Sequence, residues 1–316
     1  MASLRELRRR LKSIQSTKQI MRAMQLVSGS KFKRAQLRLL QSRQMLEFLD
    51  GLLQRVLVAA EGRNPERSRA RPKAESRESR GTAKHLQHPL MTARAGLPSA
   101  LLVVTSDAGL AGSYNTNLIQ LTEAELRKDT AKAVRVSFLG KRGHRYFVKR
   151  GSQPADAFLD LAGRPDIRRI DAIGTTLMDR FLKGEIGSVH ILYAKFISPT
   201  VSKPTVAQWL PIQLGQTSSP SPQPRAPSRG ALDYIFEPSA EEIFADLLPR
   251  WAIATFRLFL LEAFTSEHGA RMIAMKNATD NAEELLKSLT LQRNKVRQAS
   301  ITRELSEIVG TVEALK

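Results

Sequence analysis

The chain has 316 residues and no cysteine. That excludes a disulfide framework, a thiol nucleophile and a thiol switch together. Aromatic residues make up only 6%, which weighs against base stacking as a mode of recognition. No apolar run reaches the roughly 18 residues that a membrane span requires. The opening MASLRELRRR leads into no apolar h-region, so no signal peptide is expected. Acidic side chains are scarce at the start: residues 1–40 hold eleven Lys or Arg against the single acid Glu6, in a chain of formal net charge +20. Such a surface suits an acidic partner, or it is a solvated helix face. Nucleic acid is the usual expectation for so basic a protein. The basic segment, however, carries a seam of apolar residues that phosphate contacts would not need.

Proline is missing where helices would be long. From Ser266 onward there is none, and only two glycines occur. Met272, Met275, Thr279, Ala282, Leu286, Leu289 and Val296 alternate by threes and fours, the spacing of a narrow coiled-coil seam. Its Ala and Thr positions demand a partner that approaches closely. Residues 3–58 also lack proline and place Leu4, Leu7, Leu11, Ile14 and Met21 at the same spacing, followed by Met24, Val27, Leu37, Leu40, Leu49, Leu52 and Val56. Ser3 with Glu6 forms a capping box. A second helical stretch opens near Pro238 with Ser239 as its cap. At 1.5 Å per residue these helices reach about 80 and about 110 Å, too long to bury themselves in a compact domain. An antiparallel pair of terminal helices is the simplest arrangement.

Between them lie two polar stretches and one apolar one. Residues 62–97 are basic and broken by Pro and Gly, and residues 215–230 are Pro-rich; both read as linkers or tolerated insertions. The segment 99–213 alternates strand and helix: strands at Ala100–Thr105, Val134–Leu139, Ser188–Phe196 and Val206–Leu210, with helices at 117–130, from Gly140 to about Arg150, and at Ile173–Leu182. This spacing predicts a parallel, doubly wound, Rossmann-like α/β domain. The expected division is a coiled-coil helix at 1–60, a basic linker at 61–98, the α/β domain at 99–213, a Pro-rich linker at 214–237 and a coiled-coil helix at 238–316.

The first strand ends in Thr105-Ser106-Asp107-Ala108-Gly109-Leu110-Ala111-Gly112-Ser113-Tyr114-Asn115. A glycine turn there invites a nucleotide-binding reading, but neither G-x-G-x-x-G nor G-x-x-x-x-G-K-[ST] is present. The other reading is a tight turn whose glycines adopt unusual backbone angles and whose Asp or Ser caps the next helix. Glu267, His268 and Arg271 stand within one turn of each other; one histidine beside a carboxylate does not make a metal site. No catalytic residue, cofactor site or metal site is assigned.

The segment from Ser266 to the end resembles the C-terminal helix of the gamma subunit of F-type ATP synthases. The turn resembles that family's Ser-Asp-Arg-Gly-Leu-Cys-Gly motif in Ser106, Asp107, Gly109, Leu110, Gly112 and Asn115, and departs from it at Ala108 and Ala111. Further similarity lies in Ile14–Ile20, Ala23–Ser28, His88-Pro89-Leu90, Asp233–Pro238 and Arg297–Val309. The resemblance implies a central rotor shaft, itself non-catalytic, that couples ion flow through a membrane c-ring to ATP synthesis or hydrolysis. Its implied partners are the alpha and beta subunits of the catalytic hexamer, the epsilon subunit and the c-ring, with no nucleic acid and no insertion into the bilayer. Its implied place is peripheral, on the cytoplasmic face of the bacterial plasma membrane. By the same resemblance Met24, with Lys18 and Arg22, faces acidic lever loops of the beta subunits, a coiled-coil core position being the other reading of Met24. Arg297, Gln298 and Thr302 meet the hexamer's catch loops, or form a solvated face. Two readings of other classes stand beside this one: a basic coiled-coil protein associated with nucleic acid, and a nucleotide-dependent enzyme on the α/β domain. Neither explains why the two ends share a seam.

Overall fold

A computed structural model describes residues 4–60, 88–94, 96–128, 134–161, 166–213, 237 and 239–314. The basic stretch at 62–85 and the Pro-rich 215–230 lie outside them, with the expectations attached to those segments. Two helices dominate: α1 (Leu4–Ala60) with 57 residues and α5 (Ala240–Ala314) with 75. They run antiparallel. Lys18 meets Glu283 at 3.0 Å and Arg43 meets Glu262 at 2.6 Å, while Asp50 accepts a hydrogen bond from the Trp251 indole. The Ser239 hydroxyl accepts from Glu242 N at 3.2 Å and so caps α5, and Glu241 and Glu242 complement the positive end of the helix dipole.

The α1 seam is a sustained heptad. Leu7, Ser28, Phe32, Ala35, Leu39, Leu46, Leu49, Leu53 and Val56 are buried, all at steps of three, four or whole heptads. Burial of each leucine side chain contributes about 1.5–3 kcal/mol. Val27, Leu37 and Leu40, expected in the seam, are instead exposed. Apolar residues sit on both flanks of the stripe there, so hydrophobicity alone selects the wrong row, and polar Ser28 and small Ala35 occupy the true one. On α5, Met275, Thr279 and Ala282 are buried as expected. Gly29 faces Met272 across the seam, where a Cβ would lie in ordinary contact, 3.4 Å from its Sδ.

A five-stranded sheet in the order β3-β2-β1-β4-β5 sits against the lower half of this pair. Its strands are β1 (Ser99–Val104), β2 (Val134–Leu139), β3 (Asp156–Phe158), β4 (Ser188–Phe196) and β5 (Ser202–Leu210). The first four are parallel, as the spacing predicts, and β5 pairs antiparallel with β4 as an added edge strand. Only residues 197–201 separate the two strands, too few for a crossover. They close a tight turn with Val201 N donating to Ser198 O at 3.1 Å. Pro204 is tolerated because β5 is an edge strand.

Helices α2 (Tyr114–Lys128) and α3 (Lys141–Val148) cover one face of the sheet. Helix α4 (Ile167–Leu182), with α5 and α1, covers the other. Helix α4 starts six residues before the expected Ile173, capped by Asp166, which accepts from Arg168 N at 3.1 Å. Close approach of α4 to α5 depends on Gly174, where a Cβ would stand 2.9 Å from Phe256 Cδ1. Asp171 then receives Arg257 in a two-pronged ion pair at 3.0 and 2.7 Å.

The end of the segment assigned to the basic linker is packed. Pro89–Met91 forms a 3₁₀ turn with Leu90 fully buried, and Leu90 O accepts from Ile212 N at 2.8 Å. Helix α5 contains Pro249, which cannot donate to the carbonyl four residues back. That carbonyl belongs to Ala245, and His88 hydrogen-bonds to the Ala245 backbone. The Nδ1 atom of His88 accepts from Leu90 N at 3.1 Å, which leaves Nε2 as the donor.

Candidate partner-contact surface and the strand-end turn

The upper shaft gathers basic side chains in a groove of about 470 Å³ between the helices, lined by Lys18, Arg22 and Arg293 together with Gln15, Gln19, Thr290, Leu11 and Leu286. Lys18 is already engaged with Glu283, whose carboxyl is held below its usual range first by Lys18 and further by Lys287 and Arg22. Arg22 is exposed and Met24 half-buried. Arg297, Gln298 and Thr302 lie beyond this groove, all exposed, with the Thr302 hydroxyl donating to Gln298 O at 3.0 Å. Counted along α5 from Glu283, Arg297 is about 21 Å further on. The six residues therefore form two groups, not one.

In the register of Lys18 and Glu283, Leu4 falls opposite about Arg297. Helix α5 continues to Ala314, about 25 Å past the last described turn of α1 at 1.5 Å per residue. Along this overhang Ile301, Leu305, Ile308 and Val309 are all exposed.

The turn after β1 is the most tightly bonded part of the α/β domain. Ser106 is buried; its backbone N–H donates to Asn115 Oδ1 at 3.1 Å and its hydroxyl to Ala108 O at 2.6 Å. Gly112 and Leu110 both hold positive φ, 57° and 61°. Asp107 Oδ1 accepts the Lys141 backbone N–H at 2.9 Å, Ser106 O accepts that of Arg142 at 3.0 Å and Thr105 Oγ1 accepts that of Gly143 at 3.0 Å. Asp107 thus caps α3, two elements away, rather than the helix that follows it. The first amides of α3 are occupied by this chain's own oxygens.

A buried polar arrangement escaped the reading of the sequence as a site. Arg271 donates to Glu267 Oε1 at 2.8 Å, to Gly109 O at 3.0 Å and to Ala108 O at 3.1 Å. Arg271 is 7% and Glu267 3% exposed. Burial pushes the Glu267 carboxyl up, and Arg271 opposes that rise. Tyr114 donates to Ala263 O at 3.2 Å; burial, then the Glu267 charge, raises its hydroxyl well above the phenolic range. One turn lower, Glu262 is buried against Arg43 of α1. The visible signal was the i,i+4 spacing of Glu267 and Arg271, which does not by itself distinguish a buried pair from a solvated one.

Comparison with known proteins agrees along the whole chain. The family model described as ATP synthase matches residues 3–315. An ATP synthase gamma chain of Anaeromyxobacter sp. (strain Fw109-5) is 37% identical over 318 residues, covering 100% of both chains. That of Symbiobacterium thermophilum is 36% identical over 310 residues, covering 98% of this chain and 96% of the relative. Among solved structures, a chain of the Euglena gracilis mitochondrial ATP synthase (OSCP/F1/c-ring, rotational state 3) matches with a TM-score of 0.59 at 17% identity, covering 99% of this chain and 94% of that one. At that identity it speaks for the fold.

Proposed function

The chain belongs to the ATP synthase gamma chains, and from that premise we propose that it is a non-catalytic rotor shaft, turning inside an alpha/beta hexamer and standing on a c-ring with an epsilon subunit alongside. It would lie at the cytoplasmic face of the plasma membrane as a peripheral component. Among the described residues no helix is long and apolar enough to cross a bilayer.

The observation that carries this reading is the overhang of α5. A coiled coil buries its seam in its partner. Past Arg297, beyond the level of the first described turn of α1, the helix and its apolar side chains continue, with Leu305 58% and Val309 61% exposed. An apolar helix end of this length invites association, and an encircling protein sleeve would serve it as a bearing. Arg297, Gln298 and Thr302 at the start of the overhang, and Arg22 and Met24 below it, are the proposed contacts with the hexamer, with Lys18 tying α1 to α5 beside them. Ser106, Asp107, Gly109, Gly112 and Asn115 are proposed to hold the α/β domain in shape rather than to bind a ligand.

Reconstitution with the alpha and beta chains tests this. The expected result is a stoichiometric complex in which a bead fixed to the α/β domain rotates when ATP is added. A chain that binds neither subunit, or a bead that stays still while ATP is hydrolysed, would overturn it.

A further inference from the structure

We propose that Arg271 is a positioning residue that keys the α/β domain to the shaft, so that torque passes between them without slip; the inference rests on the rotor reading above. Most of the junction is apolar. Phe256, Phe264, Tyr193 and Trp209 form the common core. Apolar contact resists separation but is non-directional, so it offers little resistance to sliding or twisting of sheet against helix. Hydrogen bonds depend on angle as well as distance and do resist shear. Arg271 reaches out of α5 and grips two successive main-chain carbonyls, Ala108 O and Gly109 O.

Each end of this grip is stiff. On the shaft side, Glu267 Oε1 fixes the guanidinium at 2.8 Å, and both side chains are buried. A guanidinium is a planar fork, so three acceptors determine its orientation. On the domain side, the gripped carbonyls belong to a turn already locked through Ser106 and Asn115, and tied to α3 through Asp107. Arg142 of α3 packs where a Cβ of Gly109 would be, and a Cβ on Gly112 would stand 3.7 Å from Ala274 Cβ of α5. The turn is therefore held between α3 and α5. Lower on α5 the junction is also bonded by Ser266 to Ala194 O at 3.0 Å, by Tyr114 to Ala263 O at 3.2 Å, by Trp209 to Ala252 O at 2.8 Å and by the Arg257–Asp171 pair. Of the hydrogen bonds named between the domain and α5, those of Arg271 lie furthest along α5.

The test uses the assembled complex with the hexamer fixed and stalled. The chain has no cysteine, so Lys149→Cys on the exposed end of α3 gives one attachment point for a bead. The variance of the bead's angle reports the torsional stiffness between domain and hexamer. Loss of the two carbonyl bonds in Arg271→Gln is expected to widen that variance by at least about twofold, with ATP hydrolysis per complex retained. If Arg271→Gln does not assemble, Arg271→Lys serves instead: its ammonium keeps the charge beside Glu267 but cannot hold all three acceptors in one plane, and it too should widen the variance. A variance equal to wild type in the assembling Arg271 variant overturns the proposal. A wild-type bead that never turns with ATP would instead refute the rotor reading itself.

Discussion

Lys18 Nζ and Glu283 Oε2 lie 3.0 Å apart, and this one pair both marks the register of the shaft and changes which charge a partner can meet. Lys18 spends its charge within the chain. Arg22, one turn further along α1, is exposed. Reversing Arg22 to Glu should therefore lower the ions pumped per ATP hydrolysed at low ionic strength, whereas Lys18→Ala should mainly loosen the coiled coil of the isolated chain. High salt should shrink the Arg22 effect, because exposed charges are screened within about 8 Å at physiological ionic strength. Equal loss of pumping in both variants would return Lys18 to the partner surface.

His88 gives the fold a pH dependence. Burial pulls its imidazole below the usual value of 6.5, only partly offset by its bond to the Ala245 backbone. A base with a lowered folded pKa adds stability that is fully present above 6.5 and is lost as pH falls through the lower folded value. His88→Ala should cost about 1 kcal/mol at pH 8 by stranding the carbonyl that Pro249 cannot serve. Urea titrations at pH 8 and pH 5 check both statements: the deficit of the variant should shrink at pH 5. A deficit that grows on acidification would reverse the sign and refute the assignment.

Gly174 should tolerate no side chain. A Cβ would meet Phe256 Cδ1 at 2.9 Å and Ile253 Cδ1 at 3.1 Å; the Phe256 ring is fully buried and Ile253 packs against the same core. Gly174→Val is expected to cost about 1–3 kcal/mol by overpacking and to weaken the Arg257–Asp171 pair by lifting α4. The urea midpoint of Gly174→Val against that of the exposed control Gly51→Val reads the difference.

The long elements were legible because their signals repeat. The heptad on α5 from Met275 to Ala282, the Ser239 cap and the strands at Val134–Leu139 and Ser188–Phe196 all lay where pattern and capping chemistry put them. What stayed hidden was set by tertiary contact. The stripe on α1 could be drawn through Leu37 and Leu40 or through Ala35 and Leu39, and only the partner helix decides. The three-residue β3 carries too little sequence to announce a strand. The direction of β5 follows from the brevity of 197–201, a cue present in the sequence but outweighed by the alternation before it. In the sequence Arg271 stood only as one of three polar residues within a turn. Its function at the turn depends on carbonyls 162 and 163 positions away, which no local pattern encodes.

The overhang of α5 yields the last prediction. Ile301, Leu305, Ile308 and Val309 are exposed, and the internal support visible there is local: Arg303 pairs with Glu307 at 3.0 Å, and the hydroxyls of Thr302, Ser306 and Thr311 bond back to carbonyls of the preceding turn. A lone segment of about four turns is marginal in water. Amides beyond residue 300 should therefore exchange quickly in the isolated chain and slowly once the alpha and beta chains are added. Truncation after Ser300 should leave the melting temperature of the isolated chain unchanged while weakening its hold in the hexamer. Slow exchange in the isolated chain would mean that the overhang packs on its own protein, and the bearing would then have to be sought lower on the shaft, at Arg22 and Met24.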